Sequence, residues 1–417
     1  MIYLNIVPKM RRARFKKISR RKFCKICFLS GASLVFSPLL IDLLRESAQA
    51  ARPKGGMGFI NPREAMFYKK LDKNTIQCQL CPRYCTLKNG MRGLCRAREP
   101  RDGKHYSLVY ANPTAIHVDP IEKKPLFHFL PATAAFSIAT AGCNFRCKYC
   151  QNWEISQFKP EETVNHYLPP EEVVKKAVQY NCLTIAYTYT EPSIFYEYML
   201  DTAKIAKAKG VKNIYHSNGS LNPDPAAKLA VYLDGANIDL KGFSQDFYSE
   251  VSQGHLETVL NTLKTLKKNK VHVEITNLIV PPLNDDMAMI KKMCIWIRDE
   301  LGKDVPLHFS RFHPTYKLKN LTPTPVKTLE EARNTALSQG LEYVYIGNVP
   351  GHQAENTYCP KDNKVVIKRI GYRVLENNIV DGKCKFCGTR IPGVWKKDPL
   401  LDKQSKSSSK KLSKYLG

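Results

Sequence analysis

From about residue 134 the chain alternates short apolar runs with longer segments whose apolar positions recur every three or four residues. The apolar runs lie at 134–140, 183–188, 211–217, 236–240, 271–280, 307–312 and 343–346. They are short and nearly continuous, which predicts buried strands rather than half-exposed ones. The segments at 170–180, 194–209, 256–268, 287–301 and 328–339 carry the helical period. Pro170, followed by Glu171 and Glu172, makes a good helix start, because proline's missing N–H costs nothing in a first turn and carboxylates favour the positive end of the dipole. Apolar strands between amphipathic helices imply a parallel sheet covered on both faces. Seven such units predict an α/β fold, a partial or full (β/α) barrel with its active site at the C-terminal strand ends. An open doubly wound sheet is the alternative. Upstream, 78–132 is punctuated by proline and holds a strand-like stretch at 107–110, while 51–77 reads as a linker with a short helical segment at 64–68.

Composition changes this picture mainly at the ends. A chain of 417 residues with ordinary apolar content can bury a sizeable core, as one catalytic domain with appendages or as two domains. The formal net charge of +28 is unevenly spread. Residues 1–25 hold ten Lys and Arg with no acidic residue, and 397–417 is a basic tail expected to be disordered. The rest is still basic, which suits an acidic partner, a nucleic acid or a membrane surface; a solvated lysine-rich face accounts for it more simply. Near the start, Ser19-Arg20-Arg21-Lys22-Phe23 precedes an apolar run at 26–44 and then Ala48-Gln49-Ala50. That order resembles a twin-arginine (Tat) export signal over 1–50, a receptor-read tag rather than a membrane span. The expected location is periplasmic or membrane-associated. A basic anchoring helix on a cytoplasmic protein is the alternative.

Fourteen cysteines in an exported chain would ordinarily imply disulfides. Their spacing points elsewhere. Cys24 and Cys27 fall in the signal, Cys182 and Cys294 read as core thiols, and the others form three tight groups. Short C-x2-C and C-x3-C spacings converge sulfurs on one point, which suits a metal or cluster. Cys143, Cys147 and Cys150 sit on one loop directly after the first barrel strand. Three thiolates satisfy three irons of a [4Fe–4S] cube and leave the fourth open to an amine and a carboxylate. Reductive cleavage of S-adenosylmethionine (SAM) requires such an open iron, whereas an electron-transfer cluster would have a fourth close cysteine. A zinc site would want a fourth ligand, and no histidine stands at suitable spacing. Phe145 and Tyr149 are placed to shield the cluster from water.

The loop Gly142-Cys143-Asn144-Phe145-Arg146-Cys147-Lys148-Tyr149-Cys150 resembles that of the radical SAM superfamily. The wider text resembles one branch, the radical SAM member of the AmmeMemoRadiSam system, related to pyruvate formate-lyase activating enzymes. The matching pieces include Glu122-Lys123-Lys124-Pro125-Leu126-Phe127-His128-Phe129, Tyr189-Thr190-Glu191-Pro192, Ser217-Asn218-Gly219 and Asp239-Leu240-Lys241-Gly242. They continue with Thr276-Asn277-Leu278, His308-Phe309-Ser310-Arg311-Phe312-His313 and Asn356-Thr357-Tyr358-Cys359-Pro360. The resemblance spans residues 60–395 and implies a radical SAM barrel at 133–350 with cysteine-rich appendages. It implies that Thr190 and Glu191 receive the methionine ammonium of SAM, with Ser217 and Asn218 also contacting SAM. His216 stands where activating enzymes often carry an aspartate. Asp239 and Lys241 would orient SAM or bind a monovalent cation, Asn277 would lie along its ribose and adenine, and Tyr149 would line the same site. His308, Arg311 and His313, late in the barrel, would bind an anionic substrate or relay a proton, or else form a structural cluster.

Cys78, Cys81, Cys85 and Cys95, in the region 78–132, fit structural zinc and an auxiliary cluster equally, and the filled ligand set favours a small structural role. In the region 351–396, Cys384 and Cys387 resemble half of a zinc ribbon. Cys359 would belong to the other half, where Asp362 replaces the usual cysteine and either serves as an oxygen ligand or leaves the site weakened or lost. The implied activity is formation of a 5′-deoxyadenosyl radical that takes hydrogen from a substrate. The implied partners are a low-potential electron donor such as flavodoxin or ferredoxin, and either a protein that would carry a glycyl radical or, equally, a small-molecule substrate. RNA modification, supported only by charge, and a non-catalytic Fe–S or zinc protein are the rival readings. Export sits awkwardly with SAM and low-potential reductants, both cytoplasmic supplies.

Overall fold

A computed structural model describes residues 55–395. The stretch expected to be an export signal, with Cys24 and Cys27, and the expected basic tail lie outside the described residues. Eight strands form the central sheet: β1 (Ala115–Pro120), β2 (Ala134–Ala139), β3 (Thr184–Tyr187), β4 (Lys212–Ser217), β5 (Gly235–Asp239), β6 (His272–Ile279), β7 (Leu307–Arg311) and β8 (Val344–Gly347). Strands β2 to β8 are parallel, each beside its neighbour in sequence, and β1 lies antiparallel on β2. A doubly wound sheet would reverse its order part-way, so this sequential order selects the barrel. Strands β1 and β8 have no ladder between them, so the barrel is partial.

Six helices of eight residues or more follow the strands: α1 (Pro170–Gln179), α2 (Tyr196–Ala208), α3 (Pro223–Ala230), α4 (Leu256–Lys268), α5 (Met287–Glu300) and α6 (Val326–Ser338). Their apolar faces, such as Val173 and Ala177 of α1 and Leu263 and Leu266 of α4, join one core with Ile185 and Ile275 of the sheet. Helix α5 begins at Asp286, whose carboxylate accepts the Ala288 and Met289 amides, both at 3.1 Å.

The region before the barrel departs from expectation. The helix expected at 64–68 is absent; Arg63–Glu64 and Tyr68–Lys70 are short strands instead. The Ala65 amide bonds the His105 carbonyl and the Met66 amide bonds Glu197, so long-range partners override local helical preference. The strand expected at 107–110 lies earlier, at Lys104–Ser107, in a hairpin with Arg98–Arg101. Leu108 and Val109 are buried beyond its end. The C-terminal residues 357–395 pair mainly among themselves, around a second small core of Phe127, Tyr343, Tyr345, Val366 and Ile391.

Candidate functional site

The cysteine loop leaves the C-terminal end of β2 through Gly142, whose φ is +99°. A Cβ there would collide with the Cys95 carbonyl oxygen, so this close approach needs glycine. Beyond it, Cys143, Cys147 and Cys150 line one cavity of about 370 Å³. No disulfide involves them. The Phe145 amide donates to Cys143 Sγ at 3.3 Å, Asn218 Nδ2 lies 3.8 Å from the same sulfur, and Ser156 Oγ is 3.2 Å from Cys150 Sγ. Burial pushes the Cys143 thiol well up and the Cys147 thiol to about 11, so metal binding must drive proton release. Phe145 and Tyr149 are both buried, and Tyr149 stacks on Phe247.

Successive strand ends build the rest of the wall. Thr188, Tyr189 and Thr190 follow β3; His216, Ser217 and Asn218 end β4; Asp239 and Lys241 end β5. Thr190 Oγ1 donates to the Thr140 carbonyl at 2.9 Å. Lys241 Nζ reaches Asp239 Oδ2 at 3.0 Å, and His216 Nε2 lies 3.5 Å from the other oxygen. Burial would raise the Asp239 pKa, but the Lys241 charge and the His216 bond outweigh it and keep the carboxylate ionised.

Glu191 and Asn277 do not line this cavity. The buried Glu191 accepts from Ser193 Oγ at 2.6 Å, Ser217 Oγ at 2.8 Å and the Asn218 amide at 2.9 Å. It holds the Ser217-Asn218-Gly219 turn from behind. Asn277 lies between Thr276 and Leu278, which do face the cavity, and strand alternation turns it away; its Nδ2 donates to the Leu240 carbonyl at 2.7 Å.

Lys124, Tyr189 and His216 line the cavity although residue types alone assigned them no role. Lys124 is buried, with its Nζ 2.6 Å from Asp119 Oδ2 and 4.3 Å from the centre of the Tyr189 ring. Burial lowers its pKa to about 8 against the pull of Asp119. Tyr189 has a φ of +65°, its hydroxyl donates to Asp119, and its carbonyl accepts Asn152 Nδ2 at 2.6 Å. A left-handed tyrosine is costly and belongs where the surroundings hold it.

A second cavity of about 560 Å³ adjoins the first, sharing Pro125, Gln151, Ser310, Asn348 and Tyr372 in its wall. His308, Arg311 and His313 all line it, so the structure brings these three together. Their freedom differs. His308 Nε2 is held by Glu274 Oε2 at 2.7 Å and its ring stacks on Tyr345, Arg311 Nε donates to the Thr324 carbonyl, and His313 is exposed.

Residues 137–294, from β2 into α5, match the radical SAM superfamily model. Uncharacterized protein MJ0808 of Methanocaldococcus jannaschii is 50% identical over 331 residues, covering 79% of this chain and 98% of its own length. The chain belongs to the radical SAM superfamily. Among solved structures it is similar to a radical SAM methyltransferase from Sphaerobacter thermophilus, at 14% identity and TM-score 0.45, over 75% of this chain and 83% of that one. It is also similar to a domain of pyruvate-formate lyase-activating enzyme from Bacteroides vulgatus, at 13% identity and TM-score 0.35, over 39% of this chain and 98% of that one.

Radical SAM membership implies a [4Fe–4S] cluster and SAM, and the residues present fit both. Three unbridged thiols share one cavity with N–H and O–H groups beside their sulfurs, a donor set suited to a cluster. The polar wall opposite them offers hydroxyls, an amide and an ion pair to SAM. Of the flanking cysteine groups in this radical SAM chain, Cys359, Asp362, Cys384 and Cys387 bring their ligand atoms within 4.8 Å of one another. Cys78, Cys81, Cys85 and Cys95 surround a separate void that Asn144 also lines.

Proposed function

We propose that this radical SAM enzyme takes hydrogen from a substrate held in the second cavity. The shared wall between the cluster-side cavity and the chamber lined by His308, Arg311 and His313 carries this reading. Cys143, Cys147 and Cys150 would hold the cluster; Thr190, Ser217, Asn218, Asp239 and Lys241 would hold SAM, with Glu191 and Asn277 positioning their neighbours. When bound, cluster and SAM together supply reductive cleavage to methionine and a 5′-deoxyadenosyl radical. The protein's own residues bind and orient the reactants and keep water out, with Phe145 and Tyr149 closing the apolar side. Arg311 and His313 meet the substrate, and His308 is a positioning residue fixed by Glu274.

The likeness to activating enzymes supports a protein segment as the substrate, with a flavodoxin- or ferredoxin-type protein as electron donor. The gathered Cys359, Asp362, Cys384 and Cys387 support a structural zinc ion in the C-terminal region. The twin-arginine pattern supports export of the folded, loaded protein, and a folded-export reporter fused to residues 1–55 tests it: no export with Arg20 and Arg21 intact rejects it.

The deciding experiment is anaerobic. Full-length protein is reconstituted with iron and sulfide, reduced, given SAM and assayed for 5′-deoxyadenosine. Cleavage that disappears in Cys147→Ala supports the function. A stable cluster whose electron paramagnetic resonance ignores SAM rejects it in favour of a non-catalytic role.

A further inference from the structure

The Cys78, Cys81, Cys85 and Cys95 thiols line a void that the proposed chemistry leaves unused. We propose that they bind a second iron–sulfur cluster and that this cluster passes electrons to the loop of Cys143, Cys147 and Cys150.

The spread of the sulfurs carries the choice of metal. A zinc ion with Zn–S bonds of about 2.3 Å draws its ligands tightly together, whereas a four-iron cube holds its thiolates further apart. Among the described residues, Cys359, Asp362, Cys384 and Cys387 are the one group whose ligand atoms gather within 4.8 Å. Neither the four N-terminal thiols nor the three thiols of the central loop gather their sulfurs that tightly.

The lining of the void points the same way. His105 is fully buried there with neither ring nitrogen partnered, and a buried Arg83 Nη2 is unpartnered too. Buried donors without acceptors are costly. The sulfides and thiolates of a cluster accept such N–H groups, and those bonds help set its potential.

Position assigns the role. Asn144 lines this void, while Cys143, the residue before it, lines the central cavity. Asn144 Oδ1 accepts from Asn218 Nδ2 at 2.8 Å, and that same nitrogen lies 3.8 Å from Cys143 Sγ. The exposed Tyr84 also lines the void, so its wall includes a surface residue as well as a residue of the central loop. Four thiolates leave no open iron, which suits electron transfer rather than substrate binding. A low-potential one-electron donor protein reduces this cluster. The electron then moves to the central cluster, and the first returns to its oxidised state with no bond broken and no proton moved.

Only the electron's destination rests on the function proposed above, and metal analysis separates the two. Full-length protein purified anaerobically should carry about eight iron ions per chain. Cys78→Ser/Cys85→Ser should lose about half of them, keep the SAM-sensitive resonance of the central cluster, and slow reduction of that cluster by reduced flavodoxin by an order of magnitude. Cys143→Ala/Cys147→Ala/Cys150→Ala should keep about four iron ions with a resonance indifferent to SAM. Iron absent from this triple variant overturns the second cluster, even if the double variant does not fold. Loss of zinc instead of iron on Cys78→Ser/Cys85→Ser overturns it as well, and unchanged reduction kinetics in that variant overturn the relay.

Discussion

The Glu191 carboxylate accepts from Ser193, Ser217 and the Asn218 amide while lying outside the cavity it serves. Replacing one oxygen by an amide in Glu191→Gln turns a donor toward donors and leaves a buried N–H unsatisfied, a cost of about 1.5–3 kcal/mol for bonds to a charged group. SAM affinity should therefore fall by roughly tenfold or more, while the protein still folds and takes up iron. Calorimetry on the loaded protein reads this; unchanged affinity would mean the Ser217-Asn218-Gly219 turn needs no such support. Lys124 makes a pH-dependent case. With its pKa lowered to about 8, it is a cation in the cavity below that pH and neutral above it. A carboxylate bound nearby is attracted only by the cation, so affinity for SAM should hold below about pH 8 and decline above it. Lys124→Arg stays charged and should flatten the decline. A wild-type affinity that is level across that range would place Lys124 outside SAM binding.

At the level of elements, the seven parallel strands were legible because buried parallel strands are continuous apolar runs, and all seven runs became strands. Helix α3 was not legible, because Pro223-Asp224-Pro225 opens only eight helical residues, too few to display a period. The cavity residues divide in the same way. The three cluster cysteines announce themselves by spacing, whereas Lys124 and Tyr189 meet Asp119 only through the pairing of distant segments. Asn277 was misplaced by a single register step: its motif sits at the right strand end, but alternation gives the cavity to Thr276 and Leu278. The inward face of β6 also carries Glu274, which accepts from the Phe127 and His128 amides and from Nε2 of His272 and His308. Burial would raise its pKa, but the bonds from His272 and His308 prevail and keep it ionised. One carboxylate thus fastens the 125–129 segment to two barrel strands. Glu274→Ala should cost about 3–5 kcal/mol in urea unfolding, as expected for a buried charge network that loses its centre. A loss below about 1 kcal/mol would show that the segment is held by its apolar contacts alone.

Across the whole described chain, the C-terminal region is joined to the barrel where the proposed substrate chamber lies. Glu355 and Tyr372 line that chamber, and Glu355 accepts the Gly351 and Gly371 amides. The buried Arg369 donates to the Phe127 carbonyl at 2.8 Å and to Thr357 Oγ1 at 2.8 Å, and lies 4.2 Å from the centre of the Phe127 ring. His128 closes the connection, its Nδ1 2.7 Å from the Pro392 carbonyl and its own carbonyl accepting the Val394 amide at 2.8 Å. The core beneath this region is small, too little to order 357–395 by apolar burial alone, so a metal at Cys359, Asp362, Cys384 and Cys387 would contribute folding energy directly. Its loss should therefore be felt first in the chamber wall, which Glu355, Gly371 and Tyr372 line. Cys384→Ser should release about one zinc ion per chain and speed hydrogen exchange across 365–377. It should lower substrate-dependent turnover while leaving uncoupled SAM cleavage intact. If exchange quickens but turnover holds, the region is a passive appendage; if SAM cleavage falls in step with turnover, its influence reaches the cluster and the division of labour between the two cavities is wrong.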